Sequence, residues 1–123
     1  MENIIAKPTT TEQKTVSRVF DLLDNYVAVY NNPETLAAKE HGDWHIYSAE
    51  DLIDKANKIS IGLLKLGIKK DDKIAIVSPN RPEWNIVDFG IQQLGAVSVP
   101  MYPTITIDDY RYIFQDADVK IVF

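Results

Sequence analysis

Several residue spacings in this sequence could do chemistry, and each has a plainer structural alternative. Gly62 and Gly67 have the separation found in a phosphate-binding loop. That loop continues with Lys and Ser or Thr, which reach the phosphates and magnesium. Here Ile68 and Lys69 follow, and the segment has helical periodicity, so no phosphate loop is expected. No G-x-G-x-x-G and no G-x-S-x-G occurs. His41 and His45 are four apart, a metal-binding spacing on a helix. They flank Gly42-Asp43, which reads as a two-residue turn with glycine first, as type II′ requires. A hairpin turning there sets His41 opposite Trp44 and sends His45 to the other face. With no third ligand in view, no metal site is expected. Asp71-Asp72 looks like the acidic pair of a phosphoacceptor pocket, but it precedes its strand. The functional crevice of an open α/β sheet lies beyond the C-terminal strand ends. Asp108-Asp109 opens a helix, where carboxylates favour the dipole.

The strand ends themselves are more informative. Ser78-Pro79-Asn80-Arg81 follows one apolar run and Tyr102-Pro103-Thr104 follows the next. The crevice rule makes Asn80, Arg81, Tyr102 and Thr104 substrate-binding candidates. The alternative is a pair of proline-stiffened connections, with Asn80 as a helix N-cap.

These loops need a scaffold, and the periodicity supplies one. Residues 1–14 are polar and aperiodic and read as a flexible lead-in. A helix capped by Thr15 or Ser17 is expected to run to about Tyr30, stopped by Asn31-Asn32-Pro33. Strands near Thr35–Glu40 and Trp44–Tyr47 form a hairpin. Ser48-Ala49-Glu50-Asp51 is a capping-box variant opening a helix with the stripe Leu52, Ala56, Ile59, Leu63, Leu66 and an end at Gly67. Lys73–Ser78 is a short apolar run, as in a buried parallel strand. Pro82 starts the next helix, which carries Trp84, Val87, Ile91 and Leu94 to Gly95. Ala96–Met101 is a strand, Thr106–Asp109 caps a helix reaching about Asp116, and Val119–Phe123 is a third strand. The expected class is α/β: a partial three-layer subdomain with a parallel β-α-β-α-β core sheet, an N-terminal helix and a small hairpin. An apolar strand at the very end implies a subdomain over 15–123 truncated at its C-terminal side.

Bulk properties narrow the function. The 123 residues carry a net charge of −5, against a nucleic-acid partner and unhelpful for anionic lipid. The absence of cysteine excludes disulfides, thiolate nucleophiles and cysteine metal sites. No secretory signal opens the chain. Phe89–Ile107 lacks charge, yet its glutamines, glycines and prolines read as helix end, strand and turn, not as a span. No transmembrane segment is expected.

Tyr47-Ser48-Ala49-Glu50-Asp51-Leu52 resembles the first core motif of adenylate-forming enzymes, roughly Thr-Tyr-x-Glu-Leu. Gly67-Ile68-Lys69-Lys70-Asp71-Asp72-Lys73-Ile74-Ala75-Ile76 resembles the family's next segment, with Asp71 where glycine is usual. Leu94-Gly95-Ala96-Val97-Ser98-Val99-Pro100-Met101-Tyr102-Pro103-Thr104 resembles the second core motif. Ser78-Pro79-Asn80-Arg81-Pro82-Glu83-Trp84 and Asp109-Tyr110-Arg111-Tyr112-Ile113-Phe114 are most similar to the long-chain fatty-acid–CoA ligase branch. The likeness covers about residues 15–123, and its force lies in the order of the motifs.

This resemblance implies a parent enzyme that converts a fatty acid and ATP into an acyl-adenylate, then passes the acyl group to coenzyme A with Mg²⁺ assisting. The family's phosphate loop, nucleotide contacts and catalytic lysine have no matching positions here. No catalytic residue and no bound cofactor are therefore expected within the 123 residues, whose role is to buttress the nucleotide and acyl sites. The resemblance places the parent in the cytoplasm or at a membrane surface. A different carboxylic acid substrate stays open, as does an independent flavodoxin-like binding or regulatory module. The isolated chain is expected to self-associate through its open sheet.

Overall fold

The computed structural model describes residues 15–123; the lead-in expected over 1–14 lies outside the described residues. Nine elements follow one another: α1 (Asp21–Val29), β1 (Leu36–Glu40), β2 (Asp43–Tyr47), α2 (Ala49–Lys65), β3 (Lys73–Val77), α3 (Pro82–Gln93), β4 (Val97–Met101), α4 (Ile107–Asp116) and β5 (Val119–Val122). Strands β1 and β2 form an antiparallel hairpin, and β3, β4 and β5 form a parallel sheet in the order β4-β3-β5. Crossovers between parallel strands are right-handed as a rule, and with the order β4-β3-β5 that sets α3 and α4 on opposite faces. The expected α/β layering is present.

Strand β3 is central because it is the most apolar. Ile74, Ala75 and Ile76 are essentially fully buried. Both edge strands are shorter of apolar residues, and β4 holds Pro100, whose missing N–H suits an edge. One core lies between the sheet and the α2/α3 pair: Leu63, Ile68, Ile74, Ile76, Ile91 and Ala96. A second lies on the far side of that pair, where Leu23, Leu52, Ala56 and Ile86 meet Leu36 and Tyr47 of the hairpin. Helix α4 contributes no buried residue.

The α2/α3 contact is close because of Gly90 and Ser60. A Cβ built on Gly90 would lie 2.5 Å from Ile59 Cγ2. Buried Ser60 donates its hydroxyl proton within a set of acceptors formed by the Ala56 and Gly90 carbonyls and Gln93 Oε1.

Both capping boxes form. The Ser48 hydroxyl accepts from the Asp51 N–H, and the Asp51 carboxylate accepts from the Ser48 N–H. Thr106 and Asp109 repeat the pattern at α4. Gly67, at φ +84°, ends α2 as expected.

Four local expectations are corrected. Helix α1 starts at Asp21, and neither Thr15 nor Ser17 caps it. The Asp21 carboxylate instead accepts from the N–H groups of Ser17 and Arg18, locking a turn before the helix. The hairpin turns at His41-Gly42, not Gly42-Asp43, since Glu40 pairs with Asp43. Both turn residues have positive φ, 51° and 96°, the type I′ signature. Trp44 therefore faces Lys39, not His41, and His45 faces Ala38. Leu66 is not on the buried stripe. It is 71% exposed, because the helix ends at Lys65 and the backbone turns at the cap. Finally, Arg81 and not Asn80 is the N-cap of α3. Pro82 occupies the first helical position and forces extended geometry on the residue before it.

Candidate functional site

Parallel pairing places Val77 beside Met101, so the chain leaves β3 and β4 at the same end of the sheet. The two following loops meet there around a pocket of about 420 Å³. Ser78, Pro79 and Asn80 form one wall, and Pro100, Met101, Tyr102 and Pro103 form another. Trp84 and Asn85, from the first turns of α3, close the third side. A pocket thus lies where the crevice rule points, and the prolines give it stiff walls.

The four candidates divide. Asn80 and Tyr102 line the pocket; Arg81 and Thr104 do not. The Arg81 guanidinium is engaged elsewhere, donating to Glu83 at 2.6 Å and to Glu40 at 3.1 Å. Thr104 sits exposed in the turn before α4. Three residues that sequence reasoning did not single out matter here. Trp84 enters the sequence reading as a helix residue and as part of a family motif, and Asn85 not at all, and neither is named there as a pocket residue. The Tyr110 hydroxyl donates to the Tyr102 carbonyl at 2.9 Å, so α4 pins the second loop. No local sequence signal marks that contact.

A polar chain braces the first loop. The Tyr47 hydroxyl donates to Glu83, which also accepts from Arg81, which in turn reaches Glu40 on the hairpin. The Arg81 guanidinium, helped by the Tyr47 hydroxyl, holds the Glu83 carboxyl down to about 2 against its burial. The same contact with Glu83, together with burial, pushes the Tyr47 phenol up.

The pocket is lined by apolar and neutral polar groups, with no ionisable acid or base except the Tyr102 phenol. Such walls suit an uncharged, largely apolar group. They do not suit a triphosphate, which needs oriented cations or convergent backbone donors. Among the described residues no group of three or more His, Asp or Glu is placed to hold a metal ion. The histidine pair is exposed on the hairpin. These residues thus fit neither Mg²⁺ nor the phosphates of ATP.

An open parallel sheet with a pocket at its C-terminal strand ends defines an α/β subdomain. The family is narrower than that class. A family model described as AMP-binding enzyme matches residues 25–123, and the chain belongs to this family. It is 33% identical over 82 residues to the long-chain-fatty-acid–CoA ligase FadD15 of Mycobacterium bovis, covering 67% of this chain and 14% of that protein. It is 32% identical over 89 residues to fatty acyl-CoA synthetase A of Dictyostelium discoideum, covering 72% of this chain and 13% of that protein. The solved fatty acid AMP ligase of Legionella pneumophila superposes with a TM-score of 0.80 at 17% identity, covering 93% of this chain and 21% of that one. This last likeness is one of fold. The match thus spans about one seventh of each of these two curated relatives.

Proposed function

We propose that residues 15–123 are the structural N-terminal subdomain of an ATP-dependent long-chain fatty-acid–CoA ligase. In that reaction the acid carboxylate attacks the α-phosphorus of ATP and pyrophosphate leaves. The CoA thiol then attacks the acyl carbon and AMP leaves. ATP, Mg²⁺ and CoA are used by the whole protein, and the groups that handle phosphate belong to parts beyond these residues. What this chain supplies is a wall. Strands β3 and β4 aim two stiff loops at one pocket whose apolar lining matches an acyl group better than a nucleotide phosphate. Asn80 and Tyr102 are its proposed acid-side contacts.

The observation that carries the fatty-acid reading is the 33% identity to a protein named as a long-chain-fatty-acid–CoA ligase. The test is pyrophosphate release by the whole gene product supplied with ATP, Mg²⁺, CoA and palmitate. Acid-dependent release is expected, with none from the 123-residue chain alone. A whole product that ignores fatty acids but turns over another carboxylic acid would replace the substrate assignment. Adenylation by the 123 residues unaided would overturn the scaffold role.

A further inference from the structure

Helix α3 and strand β4 are joined by the short connection 94–96 and run apart from it. Their far ends hold the pocket, where Trp84 and Asn85 face Pro100, Met101 and Tyr102. No covalent link fixes the separation of the two elements at that end. A side-chain link lies midway. The Ser98 hydroxyl donates to Asp88 Oδ1 at 2.5 Å, and the Gln92 amide donates to Asp88 Oδ2 at 2.6 Å. Among the described residues the Ser98–Asp88 bond is the only side-chain hydrogen bond between α3 and β4. Both residues are half-buried. Among the described residues no lysine or arginine pairs with the Asp88 carboxylate.

This crossbar sits directly beneath the pocket. Asp88 follows Trp84 by four residues and Asn85 by three, so it stands one helical turn below both on the same face. Ser98 and Pro100 are two apart and share a face of β4. Their register partners are Ile74 and Ile76, which belong to the core under α3, so that face is turned toward the helix. An aspartate is a poor helix former, and burying half of a carboxylate sacrifices hydration. What the carboxylate supplies instead is a short, directional, charge-assisted bond. Such a bond fixes a distance that apolar packing alone leaves adjustable.

We propose that Asp88 is a positioning residue: through Ser98 it sets the separation of the α3 and β4 walls, and so the width of the pocket assigned above to the acyl group. Its consequence for turnover rests on the ligase reading; the tie itself does not. The role is geometric, so an acceptor at position 88 and a hydroxyl at position 98 suffice.

The test uses the whole gene product with paired substitutions. Ser98→Thr keeps the hydroxyl, while Ser98→Val has nearly the same shape without it. Asp88→Asn keeps an acceptor, and Asp88→Ala does not. In the ligand-free protein the Met101 and Tyr102 amides should exchange with deuterium about 10-fold faster in Ser98→Val and Asp88→Ala, and at the wild-type pace in Ser98→Thr and Asp88→Asn. KM for palmitate in pyrophosphate release should rise about 2- to 10-fold in the first two variants only, with kcat and KM for ATP held. Asp88→Ala combined with Ser98→Val should be no worse than either alone, because both remove one bond. Faster exchange in a protein whose wild type ignores palmitate would remove the ligase reading and leave the tie standing. Equal exchange in Ser98→Val and Ser98→Thr would overturn the proposal. So would a palmitate KM unmoved despite faster exchange, a parallel rise in KM for ATP, or additive effects in the double variant.

Discussion

Asp71 has φ +68°, in the left-handed region that glycine enters without steric cost. Its N–H donates to the Gly95 carbonyl at 2.9 Å, so the fold requires this conformation to join the start of β3 to the end of α3. The departure from the family's glycine is therefore borne by the same backbone turn. Asp71→Gly should raise the urea midpoint, by about 0.5–1 kcal/mol of stability. At the pocket, Asn80→Ala and Tyr102→Ala in the whole protein should raise KM for the fatty acid about 2- to 10-fold, the size of a lost hydrogen bond, with KM for ATP unmoved. Arg81→Ala should act on stability and leave the acid KM alone, because its guanidinium serves Glu83 and Glu40. Glu83 adds a pH dependence. Its carboxyl is held at about 2, below the usual 4.5, so its contribution is complete above the usual value and fades as pH falls toward about 2. The side chain is 39% exposed, so screening keeps the contribution small. Urea midpoints of the wild type and Glu83→Gln should differ at neutral pH and converge at the acid end. Residue types on the strand ends were legible in the sequence; their partners were not. Nothing local to Arg81 announces that Glu40, 41 residues earlier, will take its second hydrogen bond.

Elements were legible where the signal is local and strong. Ser48 and Thr106 each pair with an aspartate three residues on, and both capping boxes form as read. Helix α1 was misplaced because Thr15 and Ser17 are good caps by type, while Asp21 used its carboxylate to organise the preceding turn. The hairpin was misread by one residue because only the ladder settles which two residues turn. His41 adopts the positive φ that type I′ demands, which glycine's position alone had suggested for its successor. Helix pairing was the least visible feature. A glycine inside a helix normally costs about 1 kcal/mol relative to alanine. Gly90→Ala should nonetheless destabilise, by about 1–3 kcal/mol, because the new methyl meets Ile59 Cβ at 2.7 Å and the Ala56 carbonyl at 3.0 Å. Thermal unfolding of that variant decides between propensity and packing; a raised midpoint would mean the α2/α3 contact relaxes freely.

For the whole molecule, the α/β order and the location of the crevice could be read from alternation and turn chemistry, and the sheet order could not. Strand β3 takes the centre because the chain leaving β4 crosses past β3 and adds β5 on the far side of β3, pairing Ala75 with Val122. Among the described residues this leaves both β4 and β5 with an unpaired edge, and Val97, Val122 and Phe123 are at least 41% exposed. We propose that the isolated chain self-associates through these edges, and sedimentation velocity should show a concentration-dependent shift. A single unshifted boundary at high concentration would contradict it. The brace from Glu40 through Arg81 and Glu83 to Tyr47 carries a further consequence. A two-stranded hairpin alone frays readily in water. Here its end is held by the first turn of α3, so the two should open as one cooperative unit. Amide protons of β1 and β2 should then exchange with solvent deuterium at the pace of that helical turn, and Tyr47→Phe should release the hairpin to exchange ahead of it.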